Sequence, residues 1–126
     1  MTQDIKKRPA VLIVEDEPLL RMDAVDMIGD AGFRTYEAGT AAAAITIMET
    51  HSDIGILFTD IDMPGSMDGL QLAAHVHQGW PQVAIVIASG VVEIEKVGMP
   101  EGAMFFSKPY ASSQVTRTLQ DIADRQ

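Results

Sequence analysis

Five short apolar runs of strand length, separated by stretches of helical or turn character, constrain this chain more than any other feature of its sequence. Residues 11–14 (Val-Leu-Ile-Val) are apolar at every position, which predicts a strand buried on both faces. Pro18 sits where the first turn of a helix would begin. Leu19, Leu20, Val25 and Ile28 then follow at helical spacing, until Gly29 and Gly32 punctuate the end. Residues 33–37 read as a second strand, and Gly39-Thr40 offers a turn and an N-cap ahead of an alanine-rich helix over 41–50. A third strand is predicted over 54–59. A loop over 60–68, containing Pro64 and Gly65, leads to a helix over 70–77 that Gly79-Trp80-Pro81 closes. A fourth strand over 83–88 and a fifth over 104–107 precede a last helix over 112–125. Ser112 or Ser113 would cap that helix, and Val115, Leu119 and Ile122 would form its buried side.

Strands that alternate with helices predict a parallel sheet covered on both faces. Five β/α units in a chain of 126 residues fit an α/β doubly wound fold of the flavodoxin-like type, with strand order 2-1-3-4-5 by analogy. The length suits one domain, read here as residues 9–126 behind a short basic tail over 1–8. There is no cysteine, so disulfides and thiolate metal sites are excluded. The apolar run after Lys6-Lys7-Arg8 is too short for a signal peptide or a membrane span, which predicts a cytoplasmic protein. With 18 acids against 9 lysines and arginines the net charge is −9, and such a surface repels a phosphate backbone, so direct nucleic-acid binding is not expected.

In open α/β sheets ligands sit beyond the carboxyl ends of the strands, at the point where the strand order reverses. Strand one runs into Glu15, Asp16 and Glu17, and strand three into Asp60 and then Asp62. The predicted order therefore gathers carboxylates from distant positions. Close carboxylates repel each other unless a cation intervenes, and Mg²⁺ accepts oxygen ligands of this kind. Glu17, next to Pro18, reads better as a helix cap than as a ligand. Strand four ends at Ser89 and strand five at Lys108. A hydroxyl donor and a point cation beside a carboxylate nucleophile suit phosphoryl transfer onto that carboxylate.

These residues resemble the receiver domains of two-component response regulators. The matching pieces are Glu15-Asp16-Glu17, Asp60-Ile61-Asp62-Met63-Pro64 with Met67-Asp68-Gly69, Ala88-Ser89-Gly90, and Ser107-Lys108-Pro109-Tyr110, all in family order. The resemblance implies that Asp60 is the phospho-acceptor and that Asp16 is the main acidic Mg²⁺ ligand, with Glu15 acting mostly through water. It implies that the backbone carbonyl of Asp62 completes the protein ligands, and that Ser89 and Lys108 engage the phosphoryl group. Phe105 would be the switch aromatic, moving with Ser89, and the Lys108-Pro109 bond would be cis. The implied partners are a histidine kinase or histidine phosphotransfer protein and a downstream protein, with no membrane contact. The resemblance leaves open whether phosphorylation drives dimerisation, and whether the domain stands alone or belongs to a hybrid kinase.

Three features depart from the family pattern. Three residues, 65–67, separate Pro64 from Asp68 where many receivers have two. The stretch 91–97, expected to form a helix after strand four, is short and is followed by Gly98, Pro100 and Gly102. Asp62 is an acid two residues past the acceptor, placed to alter the lifetime of a phosphorylated state. Competing readings are weaker. Asp60-x-Asp62 after an apolar strand also resembles a haloacid-dehalogenase-type phosphohydrolase, but a β/α/β/α precedes it and a late acidic pair on a strand end is missing. An EF-hand fails at Gln71, where a bidentate Glu is needed, and at Pro64. A receiver-like interaction module that is never phosphorylated remains the third reading. His51, His75 and His77 read as solvated, Met22, Met27 and Met48 as core filler, and Trp80 as packing at a helix end.

Overall fold

In a computed structural model, which describes residues 8–61, 68–90 and 99–126, the five predicted strands form one parallel sheet of order β2-β1-β3-β4-β5. The strands are β1 (Ala10–Val14), β2 (Thr35–Ala38), β3 (Ile54–Asp60), β4 (Ala84–Ser89) and β5 (Met104–Ser107). The helices are α1 (Pro18–Asp30), α2 (Ala41–Thr50), α3 (Gly69–Gly79) and α4 (Ser112–Arg125). The expected helix over 91–97, the inserted residues 65–67 and Asp62 all lie outside the described residues.

The sheet divides the core in two because successive side chains of a strand point to opposite faces. Leu12, Leu57, Ile85 and Ile87 face α2 and α3, where Ala41, Ala44, Met48, Leu72 and Val76 cover them. Val11, Ile13, Ile56, Phe58 and Val86 face α1 and α4, meeting Ala24, Ile28, Val115, Leu119 and Ile122. The all-apolar run of β1 is thereby accounted for, since each of its residues is buried against one helical layer or the other.

Several boundaries differ from the sequence reading for identifiable reasons. The second strand starts at Thr35 rather than at 33. Gly32 takes a positive φ of 97° just past α1, and Phe33 turns into the core behind it. β3 and β4 each run one residue further, to Asp60 and Ser89, because both residues keep ladder partners in the sheet. α3 begins at Gly69, where Asp68 and Gln71 form a reciprocal capping box. α4 is capped by Ala111, which makes no side-chain cap hydrogen bond, and Ser112 and Ser113 lie inside its first turn.

On α1, Ala24 and Ile28 are the buried residues, whereas Leu19, Leu20 and Met22 are 67, 48 and 56% exposed. The helix enters just past the end of β1, so its first turn overhangs the sheet rather than packing on it. Met48 is core as expected and Met22 is not. Glu17 caps α1 by accepting hydrogen bonds from the Leu19 and Leu20 amides. His51 and His75 are exposed, and Trp80 packs against the α2/α3 layer.

At the opposite end of the sheet, Asp53 accepts hydrogen bonds from the Tyr36 hydroxyl and pairs with the Arg34 guanidinium. Burial works against the Asp53 charge, but these donors outweigh it and hold the carboxyl below its ordinary range. A depressed carboxyl pKa stabilises the fold above the unfolded value, and that stabilisation is lost as pH falls through the lower folded value. In urea unfolding, Asp53→Asn is therefore expected to be less stable than the parent at pH 7, with the gap closing between about pH 5 and pH 3. A gap independent of pH would show that the carboxylate charge is not what matters.

Candidate functional site

β1 and β3 are neighbours at the sheet's centre although 39 residues separate Val14 from Ile54, and Val14 lies directly beside Thr59. The connection from β1 turns toward β2, and that from β3 turns the other way, toward β4. A crevice therefore opens beyond their carboxyl ends. Glu15 and Asp16 enter it from one side and Asp60 from the other. One carboxylate oxygen of each lies within 4.8 Å of the others.

Glu15 is held by its surroundings. Its amide donates to the Ala38 carbonyl at 3.1 Å, which continues the β1–β2 ladder by one residue. Its carboxylate accepts from the Glu17 amide at 3.1 Å and from Lys108 Nζ at 3.3 Å, and the residue is 7% exposed. Burial pushes the Glu15 carboxyl up and the Asp60 charge adds to the rise, while the Glu17 amide and Lys108 act in the other direction. Lys108 Nζ also lies 3.4 Å from Asp60 Oδ1. Burial disfavours the ammonium, yet the Asp60 and Glu15 charges prevail and raise its pKa.

Lys108 is positioned by its backbone, since its amide donates to the Ser89 carbonyl at 2.8 Å just past the β4–β5 ladder. The same contact sets Ser89, which is fully buried, beside the root of the lysine. The Lys108-Pro109 peptide is cis, as the resemblance implies. Phe105 lies on β5 next to Ile87 of β4, half-buried against the α2/α3 layer. Of the residues singled out from sequence, Glu15, Asp16, Asp60, Ser89 and Lys108 come together at one end of the sheet, and Phe105 stands two residues before the end of β5. Asp62 lies outside the described residues.

The donor set suits a hard divalent cation. Three carboxylates converge with no nitrogen or sulfur ligand among them, and a cation among them would relieve their mutual repulsion. An EF-hand is not present at Asp60, because Asp60 closes a strand where that motif needs a helix.

Two residues with a part in this geometry carried no weight in the sequence reading. The Arg21 guanidinium donates to the Glu15 carbonyl at 2.9 Å and to Glu37 at 3.1 Å. Its only trace in the sequence is a cation in the second turn of a helix that follows an acidic pair. Gly69, read only as part of a motif, packs on the backbone of Asp60. A Cβ at Gly69 would lie 1.8 Å from the Asp60 carbonyl oxygen, and the Gly69 amide donates to the Ile61 carbonyl at 2.9 Å. A cavity of about 510 Å³ adjoins the crevice, lined by Leu20, Ala24, Met27, Phe58 and Tyr110 as well as by Asp60 and Lys108.

Residues 11–120 match the family model described as the response regulator receiver domain. The chain is 29% identical over 127 aligned positions to the sensor kinase CckA of Brucella abortus, an alignment covering 98% of this chain and 13% of that protein. It is 27% identical over 118 positions to the transcriptional regulatory protein PdtaR of Mycobacterium tuberculosis, covering 91% of the chain and 57% of that protein. Among solved structures, a response regulator receiver protein from Sinorhizobium medicae WSM419 superposes with a TM-score of 0.85 at 26% identity, over 92% of this chain and 94% of that one. The chain thus spans about an eighth of the length of the sensor kinases it matches, 13% of each of the first three. Among the described residues, no helix is long and apolar enough to cross a membrane.

Gly69→Ala is expected to be destabilising toward the upper end of about 1–3 kcal/mol, because the clash is with backbone and cannot be relieved by a rotamer change. Urea unfolding measures this, and a loss below about 0.5 kcal/mol would mean that the end of β3 yields freely.

Proposed function

We propose, from the premise that this chain belongs to the response regulator receiver domain family, that Asp60 accepts a phosphoryl group from a phosphohistidine with Mg²⁺ held beside it. The chain is a receiver domain of two-component signalling, and such domains engage histidine kinases or phosphotransfer proteins. The family is one of signalling domains, generally without an enzymatic activity of their own. The observation that carries the proposal is the convergence of Glu15, Asp16 and Asp60 within 4.8 Å, with Lys108 Nζ 3.4 Å from Asp60.

In this reading Asp16 and Asp60 hold the ion, Glu15 acts mostly through water, and the Asp62 carbonyl completes the protein ligands. Once bound, the ion offsets negative charge on the transferring phosphoryl oxygens. An Asp60 carboxylate oxygen attacks phosphorus as the bond from phosphorus to the imidazole nitrogen breaks. The electron pair stays on that nitrogen, and the imidazole is released neutral, with one ring nitrogen carrying a proton taken from solvent. Lys108 supplies a cation already within reach of the carboxylate, so its charge is preorganised. The Ser89 hydroxyl donates to a phosphoryl oxygen. Its movement, together with reorientation of Phe105, biases an existing equilibrium of the β5/α4 face that a downstream protein reads. The Asp62 side chain tunes the phosphoryl lifetime, and the domain works in the cytoplasm beside its kinase.

Intact mass after incubation with Mg²⁺ and acetyl phosphate tests the reading. One added phosphoryl group, absent with chelator and absent in Asp60→Asn, is the expected result. No adduct under any of these conditions would favour an interaction module that is never phosphorylated. Steady phosphate release without an adduct would favour a phosphohydrolase.

Leu19, Leu20 and Met22 are exposed on α1, with Leu20 in the lining of the cavity beside the crevice, and in this reading they meet the protein that carries the phosphohistidine. Replacing Leu19 and Met22 with serine is expected to slow transfer from a phosphorylated histidine phosphotransfer protein by about tenfold or more, the loss of one or two apolar contacts. Phosphorylation by acetyl phosphate should be unchanged. Equal slowing with both donors would place the defect in the site and not in docking.

A further inference from the structure

We infer that Arg21 is a positioning residue for the metal-binding acids, and that Gly39 is small in order to admit its guanidinium. The inference rests on the proposed Mg²⁺ site. Arg21 leaves the second turn of α1 and reaches across the ends of β1 and β2. Its Nη1 donates to the Glu15 carbonyl at 2.9 Å, and its Nε donates to Glu37 Oε1 at 3.1 Å. Glu37 lies on β2 directly beside Ile13 of β1, so the far end of the fork is tied to the sheet itself. The Glu15 carbonyl belongs to the peptide that joins Glu15 to Asp16. Orienting that peptide orients both side chains that it links.

A Cβ built at Gly39 would stand 2.8 Å from Arg21 Nη1 and 3.7 Å from its Cζ. Any larger residue there would push the guanidinium off the Glu15 carbonyl. The obstructed atom is the end of a flexible side chain, so such a residue would move Arg21 without breaking the fold.

Mg²⁺ demands near-octahedral ligand placement, and groups that orient its ligands commonly matter ten- to a hundredfold in affinity. The geometry makes a prediction opposite to that of charge alone. Removing a cation from beside three carboxylates would, by Coulomb's law, strengthen cation binding. Releasing the Glu15–Asp16 peptide would weaken it. The Arg–Glu37 pair by itself is a surface ion pair of small consequence.

The test is a calorimetric titration of the protein with Mg²⁺, without phosphodonor, for the parent, Arg21→Met, Arg21→Lys and Gly39→Ala. Thermal melts in chelator run alongside. We expect Arg21→Met to weaken Mg²⁺ binding about tenfold. Gly39→Ala should weaken it in the same direction, although the charge is retained. Lysine should restore only part of the loss, because it cannot span both acceptors as a fork. At saturating Mg²⁺ the rate of phosphorylation by acetyl phosphate should return close to that of the parent. Binding within twofold of the parent in Arg21→Met, or tighter binding, would overturn the inference. So would a rate defect that persists at saturating Mg²⁺ together with a lowered melting temperature, since that is what a merely structural arginine would give. If the parent itself binds no Mg²⁺, the metal reading fails and the inference falls with it. If the parent binds and the variants match it, the inference alone fails.

Discussion

The parallel pairing of β1 with β3 sets where every charged group of the site stands. Its register places Val14 beside Thr59, so that the next residue on each strand, Glu15 and Asp60, emerges at the same level. Both strands are buried on both faces, and a slip of one residue would turn apolar side chains of each into the wrong layer. The packing of the core and the spacing of the carboxylates are therefore the same constraint. Gly69 extends it, since the start of α3 rests on the Asp60 backbone and can do so only without a side chain.

Charge is the second organising element. Three carboxylates within 4.8 Å are unfavourable in a crevice that excludes much of the solvent, and burial together with the Asp60 charge raises the Glu15 pKa. Lys108 offsets part of this by contacting both Glu15 and Asp60 from the end of β5. One ammonium against three carboxylates leaves a net negative pocket. The imbalance is a physical reason for the site to take up a divalent cation, and a reason for its acids to be held by backbone contacts that do not depend on the cation.

α1 links the site to the surface. Its inner face is slight, with Ala24 and Ile28 against the sheet, while its first two turns carry the exposed Leu19, Leu20 and Met22, of which Leu20 lines the cavity beside the crevice. Arg21 lies between these two faces and ties the helix to the Glu15 carbonyl and to β2. A contact made on the exposed turn is thus one helical turn from the peptide that carries the two leading acids.

Much of this was legible in the residues alone. The apolar run of β1, the helix over 41–50 and the last helix follow from local pattern, because burial on both faces and helical periodicity leave direct marks in a sequence. Glu15, Asp16, Asp60, Ser89 and Lys108 could be chosen because each ends an apolar run, and in a parallel sheet all such ends lie on one side. Other features depend on which surfaces meet. The turn at Gly32 moved the start of β2, and the overhang of α1 left Leu19 and Leu20 in solvent despite helical spacing that suited a core, and Met22 with them although it read as core filler. No local pattern marks Arg21 as a partner of the Glu15 carbonyl, or Gly39 and Gly69 as sites of close approach, since these contacts join segments that the chain separates. By itself the sequence determined the alternation of strands and helices and the residue types at the strand ends. Only the tertiary structure decided their register, their distances and the groups that hold them, because those follow from long-range packing between the sheet and its two helical layers.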